Sequence, residues 1–135
     1  MNKMTMLAVL LLSLSLLISG CATSGTNDDD AMSISNTVKI KPSGSYEDCL
    51  ELLPGQTMNY SFNASNFVNF NIHYHAEKEL HYPVNKKGVM MGKGSLDIQE
   101  LDYYTTEQEF FCIMWDNLSS EPVQVSFSCE VKSIQ

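Results

Sequence analysis

Between Phe67 and Val84 the chain alternates. Val68, Phe70, Ile72 and Tyr74 interleave with Asn69, Asn71, His73 and His75, the period-2 signature of a strand with one buried and one wet face. A short charged run, Ala76 to Glu79, comes next, and apolar residues resume at Leu80, Tyr82 and Val84, so this segment predicts a strand that turns and returns as a hairpin partner.

The rest of the chain repeats this pattern in shorter pieces. Val38 and Ile40 alternate ahead of Pro42 and Gly44, and Leu50, Leu52 and Leu53 lead into Pro54-Gly55. Met58, Tyr60 and Phe62 alternate ahead of the turn-like Asn63-Ala64-Ser65-Asn66. Gly88, Gly92 and Gly94 punctuate short pieces around Val89-Met90-Met91 and Leu96-Asp97-Ile98. Phe110 to Trp115 is almost continuously apolar, which predicts an interior strand covered on both faces, with Trp115 in the core. Val123, Val125, Phe127, Cys129 and Val131 alternate strictly. No helix-length periodicity occurs. About eight short strands separated by turn residues predict an all-β fold, a single antiparallel β-sandwich of jelly-roll type.

The first residues follow another grammar. Lys3 precedes the apolar run Met4 to Ile18, which is short for a bilayer span of about 20 residues and suits a secretory signal. Leu17-Ile18-Ser19-Gly20-Cys21 resembles the lipobox of bacterial lipoprotein precursors, in which the cysteine becomes the lipidated first residue of the mature chain. The expected division is therefore a signal peptide over 1–20, a lipidated flexible tether over 21–36 and the β-domain over 37–135. Ala22 stands where an aspartate would, by the same resemblance, favour the inner membrane, so the expected location is the periplasmic side of the outer membrane. The tether is rich in Ser, Thr, Asn and Asp and has no apolar periodicity, so its composition does not offset the entropy of ordering it. Its Asp28-Asp29-Asp30 run lacks the spaced ligands, glycine turn and distal glutamate of an EF-hand.

Charge narrows the partners. Loss of residues 1–20 removes Lys3 and no acid, leaving 7 lysines against 16 acids, a formal charge of −9, and the chain has no arginine. Nucleic acids and anionic headgroups are bound by basic patches, so neither is an expected partner; the membrane is engaged through the lipid anchor alone.

The candidate chemistry is concentrated in the Phe67–Val84 segment, which holds all three histidines. Asn69, Asn71, His73 and His75 share one strand face, and His81 is placed to return beside them across the hairpin. Two readings follow. The face is a binding surface for a protein, or for a glycan with Tyr or Trp as stacking platform; or His73, His75 and His81 hold copper or zinc, with Met58, Met90, Met91 and Met114 as thioethers for Cu(I). No Cys-x-x-Cys or His-Glu-x-x-His pattern supports the metal, and a polar strand face needs no ligand to explain its histidines. For catalysis there is no Gly-x-Ser-x-Gly elbow and no phosphate-cradling glycine loop, so the expectation is a binding module without an enzymatic activity or a cofactor.

Several motifs together resemble the GOLD domain, a β-sandwich module of luminal cargo receptors with bacterial relatives. They are Cys49-Leu50-Glu51 before Leu53-Pro54-Gly55-Gln56-Thr57, then Tyr60-Ser61-Phe62, Phe70 to His75, Phe111-Cys112, Asp116-Asn117 and the strand Val123 to Val131, spanning most of residues 46–132. The coiled coil and membrane helix of the cargo receptors have no counterpart up to Gln135, so cargo trafficking is not carried over. The resemblance implies a sandwich, a non-catalytic binding role and a disulfide between Cys49 and Cys112. With Cys21 lipidated, Cys49, Cys112 and Cys129 remain, an odd number for an oxidising compartment. A Cys49–Cys129 pairing stays open beside it, because first and last strands of a sandwich often adjoin and Cys129 sits on the apolar face of its strand.

Overall fold

A computed structural model describes residues 32–76, 78–101 and 109–133. The signal segment and Cys21 lie outside them. Among the described residues, six strands form one antiparallel sheet: β1 (Met32–Ile40), β2 (Ser45–Leu52), β3 (Gln56–Ala76), β4 (Glu79–Asp97), β5 (Glu109–Asp116) and β6 (Val123–Ser133). The sheet order is β1-β6-β3-β5-β2, with β4 on the other edge of β3.

The organising element is the β3–β4 hairpin, which is much longer than the sequence pattern suggests. β3 runs for 21 residues and β4 for 19. The first half of β3 pairs with β6, from Gln56↔Ser133 to Ala64↔Val125; its second half pairs with β5, from Asn69↔Asp116 to Tyr74↔Phe111. One strand thus carries two partners in series on the same edge. The chain bends between them, and the sheet curls into a half-barrel whose two halves face each other across a shared core.

The all-β antiparallel character is as expected, but a curled sheet takes the place of the eight-strand sandwich. Asn63 to Asn66, expected as a turn, is the place where β3 changes partner, marked by a register shift against β4 between Asn63 and Val68. The glycines of β4 do not break it either. A Cβ at Gly92 would run into the Phe62 ring, and one at Gly94 would lie 2.6 Å from the Tyr60 hydroxyl, so these positions are bare because inner aromatic rings lie against the β4 backbone. The true turn is where the charged run put it: Ala76 pairs with Glu79, and Lys78 takes a positive φ of 69°.

The domain also begins earlier than expected. β1 starts at Met32, inside the stretch read as tether, and pairs with β6 along its whole length from Met32↔Val131 to Ile40↔Val123. Its signal is masked because Ser33, Ser35 and Thr37 occupy the outer face, while Ile34 and Val38 pack against the core.

Trp115 is at the centre of that core, 1% exposed, with Phe127, Phe70 and Phe62 centroids at 4.8, 5.4 and 5.6 Å. β5 has one inner face rather than two. Phe111, Ile113 and Trp115 point inward, whereas Phe110 is 58% exposed. The loop after β5 is locked by Asn117, which is fully buried. Its Nδ2 donates to the carbonyls of Ile40, Lys41 and Glu121 at 3.2, 3.1 and 2.8 Å, and its Oδ1 accepts from the Ser119 amide and hydroxyl. A buried amide with this many partners is a fixed joint between the β1–β2 and β5–β6 turns.

Candidate functional site

The two halves of the sheet present different outer faces. On the β1-β6-β3-β4 half the outward positions are small and polar: Thr37 and Ser126 share a hydrogen bond of 2.9 Å, and Ser61 and Ser128 one of 2.8 Å. That face satisfies itself and is an ordinary solvated surface. The β2-β5-β3-β4 half is different.

There the strand registers set side chains in rows across the sheet. Cys49 of β2 pairs with Cys112 of β5, which pairs with His73 of β3. Glu47 pairs with Met114, which pairs with Asn71. Ser45 and Asn69 flank Asp116, with the Ser45 hydroxyl donating to its carboxylate at 2.6 Å. At the far end Glu51 pairs with Phe110, and His75 pairs with Leu80. Asn69, Asn71, His73 and His75 therefore do share one face, beside the disulfide.

His81 does not join them. On β4 the register slips between Ile72↔Val84 and Tyr74↔His81, so Tyr82 and Pro83 together oppose His73. Proline has no N–H for the ladder, and a bulge is where a strand tolerates it. Because side chains alternate with period 2, one extra residue inverts every position beyond it. His81 turns inward to stack on Tyr74 at 5.2 Å and lines a separate cleft of about 370 Å³ with Tyr82, Pro83 and Asp97. Leu80 and Tyr82, which the alternation would have buried, turn outward instead, 46% and 49% exposed. The three-histidine metal cluster is thus not assembled, and Met58 is fully buried in the core, away from this face. Trp115 is interior and offers no stacking platform, so Tyr82 is the aromatic ring beside His73, at 5.6 Å.

What the face holds instead is a strip of exposed apolar groups. Phe110, Leu80 and Tyr82 surround the histidines, and Glu47 and Glu51 stand exposed on β2. The strip is hidden in the sequence because Phe110 belongs to a continuous apolar run that predicts cover on both faces. The available signal was Pro83, whose presence inside a strand already argues for a bulge.

His73 is buried to 6% exposure although it lies on the outer face. Its Nδ1 makes a 2.8 Å hydrogen bond to Asn71 Oδ1, for which the ring must donate, leaving Nε2 directed at Glu47 Oε1 3.9 Å away. Cys49 and Cys112 form a disulfide, and among the described residues Cys129 is a free, buried thiol; burial pushes its pKa up to about 12. The open pairing is therefore decided for Cys49–Cys112: β2 lies beside β5, while β6 has β1 and β3 as neighbours. Structural disulfides persist in oxidising compartments, outside the cytosol.

No protein-family model matches the sequence, and no curated protein does. The GOLD resemblance rests on its strand and turn motifs alone. Among solved structures, the fold is similar to that of PliG from Aeromonas hydrophila, a periplasmic inhibitor of g-type lysozyme, with a TM-score of 0.52 and 17% identity over 76% of this chain and 89% of that one. It is also similar to the Yersinia pseudotuberculosis-derived mitogen, with a TM-score of 0.50 and 13% identity over 77% and 87% of the two chains. Identities this low show a shared fold. Neither description is that of an enzyme.

Proposed function

We propose that this chain is a lipid-anchored, non-catalytic binding module of the cell envelope, of inhibitor type, that docks a protein partner on the outer face of the β2-β5-β3-β4 half. The observation that carries this reading is the exposed strip of Phe110, Leu80 and Tyr82 on a sheet stapled by the Cys49–Cys112 disulfide. Large exposed aromatics on a rigid surface are the usual anchors of protein interfaces, since they bury much area at little cost in side-chain entropy. Glu47 and Glu51 beside them and a mature charge of −9 favour a cationic partner. PliG has a comparable fold and acts on a g-type lysozyme, which makes that class of secreted hydrolase the first probe.

The test is titration of a g-type lysozyme, and crosslinking in whole cells, with the wild-type chain and a Phe110→Ala/Tyr82→Ala variant. Interface hot spots contribute about 2 kcal/mol or more each, roughly 30-fold in affinity per ring, so the double variant is expected to weaken binding by up to about 10³-fold while the fold stays intact. Binding that is indifferent to both rings would sink this surface as the working face. No crosslinked partner and no lysozyme binding would sink the inhibitor reading itself.

The anchor is proposed at Cys21, on the lipobox-like Leu17 to Cys21 sequence. Cys21→Ser is expected to abolish lipid attachment and to block processing, so that the precursor keeps its apolar Met4 to Ile18 segment. A variant that is processed and sediments like the wild type would contradict it.

A further inference from the structure

The disulfide, His73 and Glu47 form one cluster, and its members are the ligand types of a structural zinc site. Glu47 Oε1 lies 3.2 Å from Cys49 Sγ and 3.9 Å from His73 Nε2, and the ligand atoms of Glu47, His73 and Cys112 all lie within 4.8 Å of one another. While the disulfide is closed this is not a metal site, because a disulfide sulfur is not a thiolate and only the imidazole and the carboxylate remain as donors. We propose that reduction of Cys49–Cys112 converts this face into a four-ligand site for Zn²⁺, with both thiolates, His73 Nε2 and Glu47 as ligands.

Three observations carry it. The donors come from three adjacent strands whose registers set them side by side: Cys49 on β2, Cys112 on β5 and His73 on β3 share one row, with Glu47 two residues from Cys49. His73 is also already oriented as a ligand. Asn71 Oδ1 accepts a hydrogen bond from Nδ1–H, which leaves the Nε2 lone pair facing the cluster, and a hydrogen bond from the distal ring nitrogen to an oxygen acceptor is the outer-shell arrangement found at zinc-bound histidines. Finally, two thiolates beside a carboxylate and a nearly buried imidazole are a concentration of negative charge that a dication neutralises. Two sulfurs, one nitrogen and one oxygen match the four-coordinate preference of zinc, and thiolates select it over magnesium or calcium.

The chemistry balances with a dithiol as reductant. Its thiolate attacks the exposed Cys49 sulfur, the S–S bond breaks with Cys112 leaving as thiolate, and the second thiol of the reductant resolves the mixed disulfide. The reductant ends as its own disulfide and the protein gains two electrons and two protons. Zn²⁺ then replaces the two thiol protons, which are released to solvent. The inference does not depend on whether the same face docks a protein.

Cobalt(II) reports the site directly, since thiolate coordination produces a ligand-to-metal charge-transfer band that zinc abolishes on displacement. The purified chain, reduced and freed of reductant under anaerobic conditions, is titrated with Co²⁺ beside the oxidised chain. Expected are one equivalent bound with the band in the reduced protein, no band in the oxidised protein, and an unchanged result in a Cys129→Ala background. His73→Ala should weaken binding by more than the roughly 10-fold that loss of an outer-shell partner costs. Asn71→Ala should weaken it less than His73→Ala. Circular dichroism is followed in parallel, so that a reduced chain that has lost its fold is recognised; added metal must then restore the fold at one equivalent. The proposal is overturned by a folded reduced chain without the band, by a band indifferent to His73→Ala or lost with Cys129→Ala, or by an unfolded reduced chain that metal fails to restore.

Discussion

Trp115→Ala is expected to lower the stability of the fold by about 3–5 kcal/mol, the range for truncating a large buried aromatic. Trp115 belongs to both halves of the sheet at once. It sits on β5, while Phe127, 4.8 Å away, belongs to β6, and Phe70 and Phe62 belong to the second and first halves of β3. Its removal therefore leaves a void at the place where the two halves are held face to face. Small domains have about 5–15 kcal/mol in total, so the variant loses a large share of its stability. Urea unfolding followed by far-UV circular dichroism measures this as a lower midpoint with unchanged slope. A loss below about 1 kcal/mol would mean that the rings do not pack around Trp115 as described. Phe110→Ala, on the outer face of the same strand, is the control and should change stability far less, because Phe110 is already mostly in water.

Removal of the disulfide by Cys49→Ser together with Cys112→Ser is expected to cost about 4 kcal/mol in the chain-entropy account, with a range of 2–5 kcal/mol for small exported domains. The staple spans a sequence separation of 63 and joins β2 to β5. β2 is an edge strand of the sheet, and β5 is its hydrogen-bonded neighbour. In the unfolded chain the link removes the freedom of nearly half the molecule; in the folded chain it holds an edge strand that carries Glu47 and Glu51. The double variant should therefore show a lower urea midpoint and faster hydrogen exchange in β2 than in β6. Peptide mapping of the unreduced wild type should yield Cys49 joined to Cys112. Cys129 should resist alkylation in the native protein, because its thiol is buried and burial pushes its pKa up to about 12, which keeps it protonated at neutral pH. Free Cys49 and Cys112 in the mapped wild type would refute the staple.

The alternation of Val68 to Tyr74 with Asn69 to His75 already contained the wet face of β3, and the strict alternation from Val123 to Val131 already contained β6. Period 2 is a local property: it requires only that one face of a strand be buried, and the chain carries that information residue by residue. All-β character, the hairpin turn after Ala76 and the interior position of Trp115 were legible for the same reason. Tertiary structure alone decided where strands continue and which face they show. Asn63 to Asn66 is turn-like in composition, yet β3 runs through it because β6 and β5 supply hydrogen-bond partners on either side of the bend. Gly92 and Gly94 look like strand ends, yet they are the flat backbone against which Phe62 and Tyr60 pack. A one-residue bulge at Tyr82-Pro83 exchanged His81 for Tyr82 on the candidate face, since a shift of one residue in a period-2 structure inverts everything beyond it. Sequence determined which residues have an inside and an outside. Pairing between distant strands decided which of those outsides meet, because register is set by partners far away along the chain.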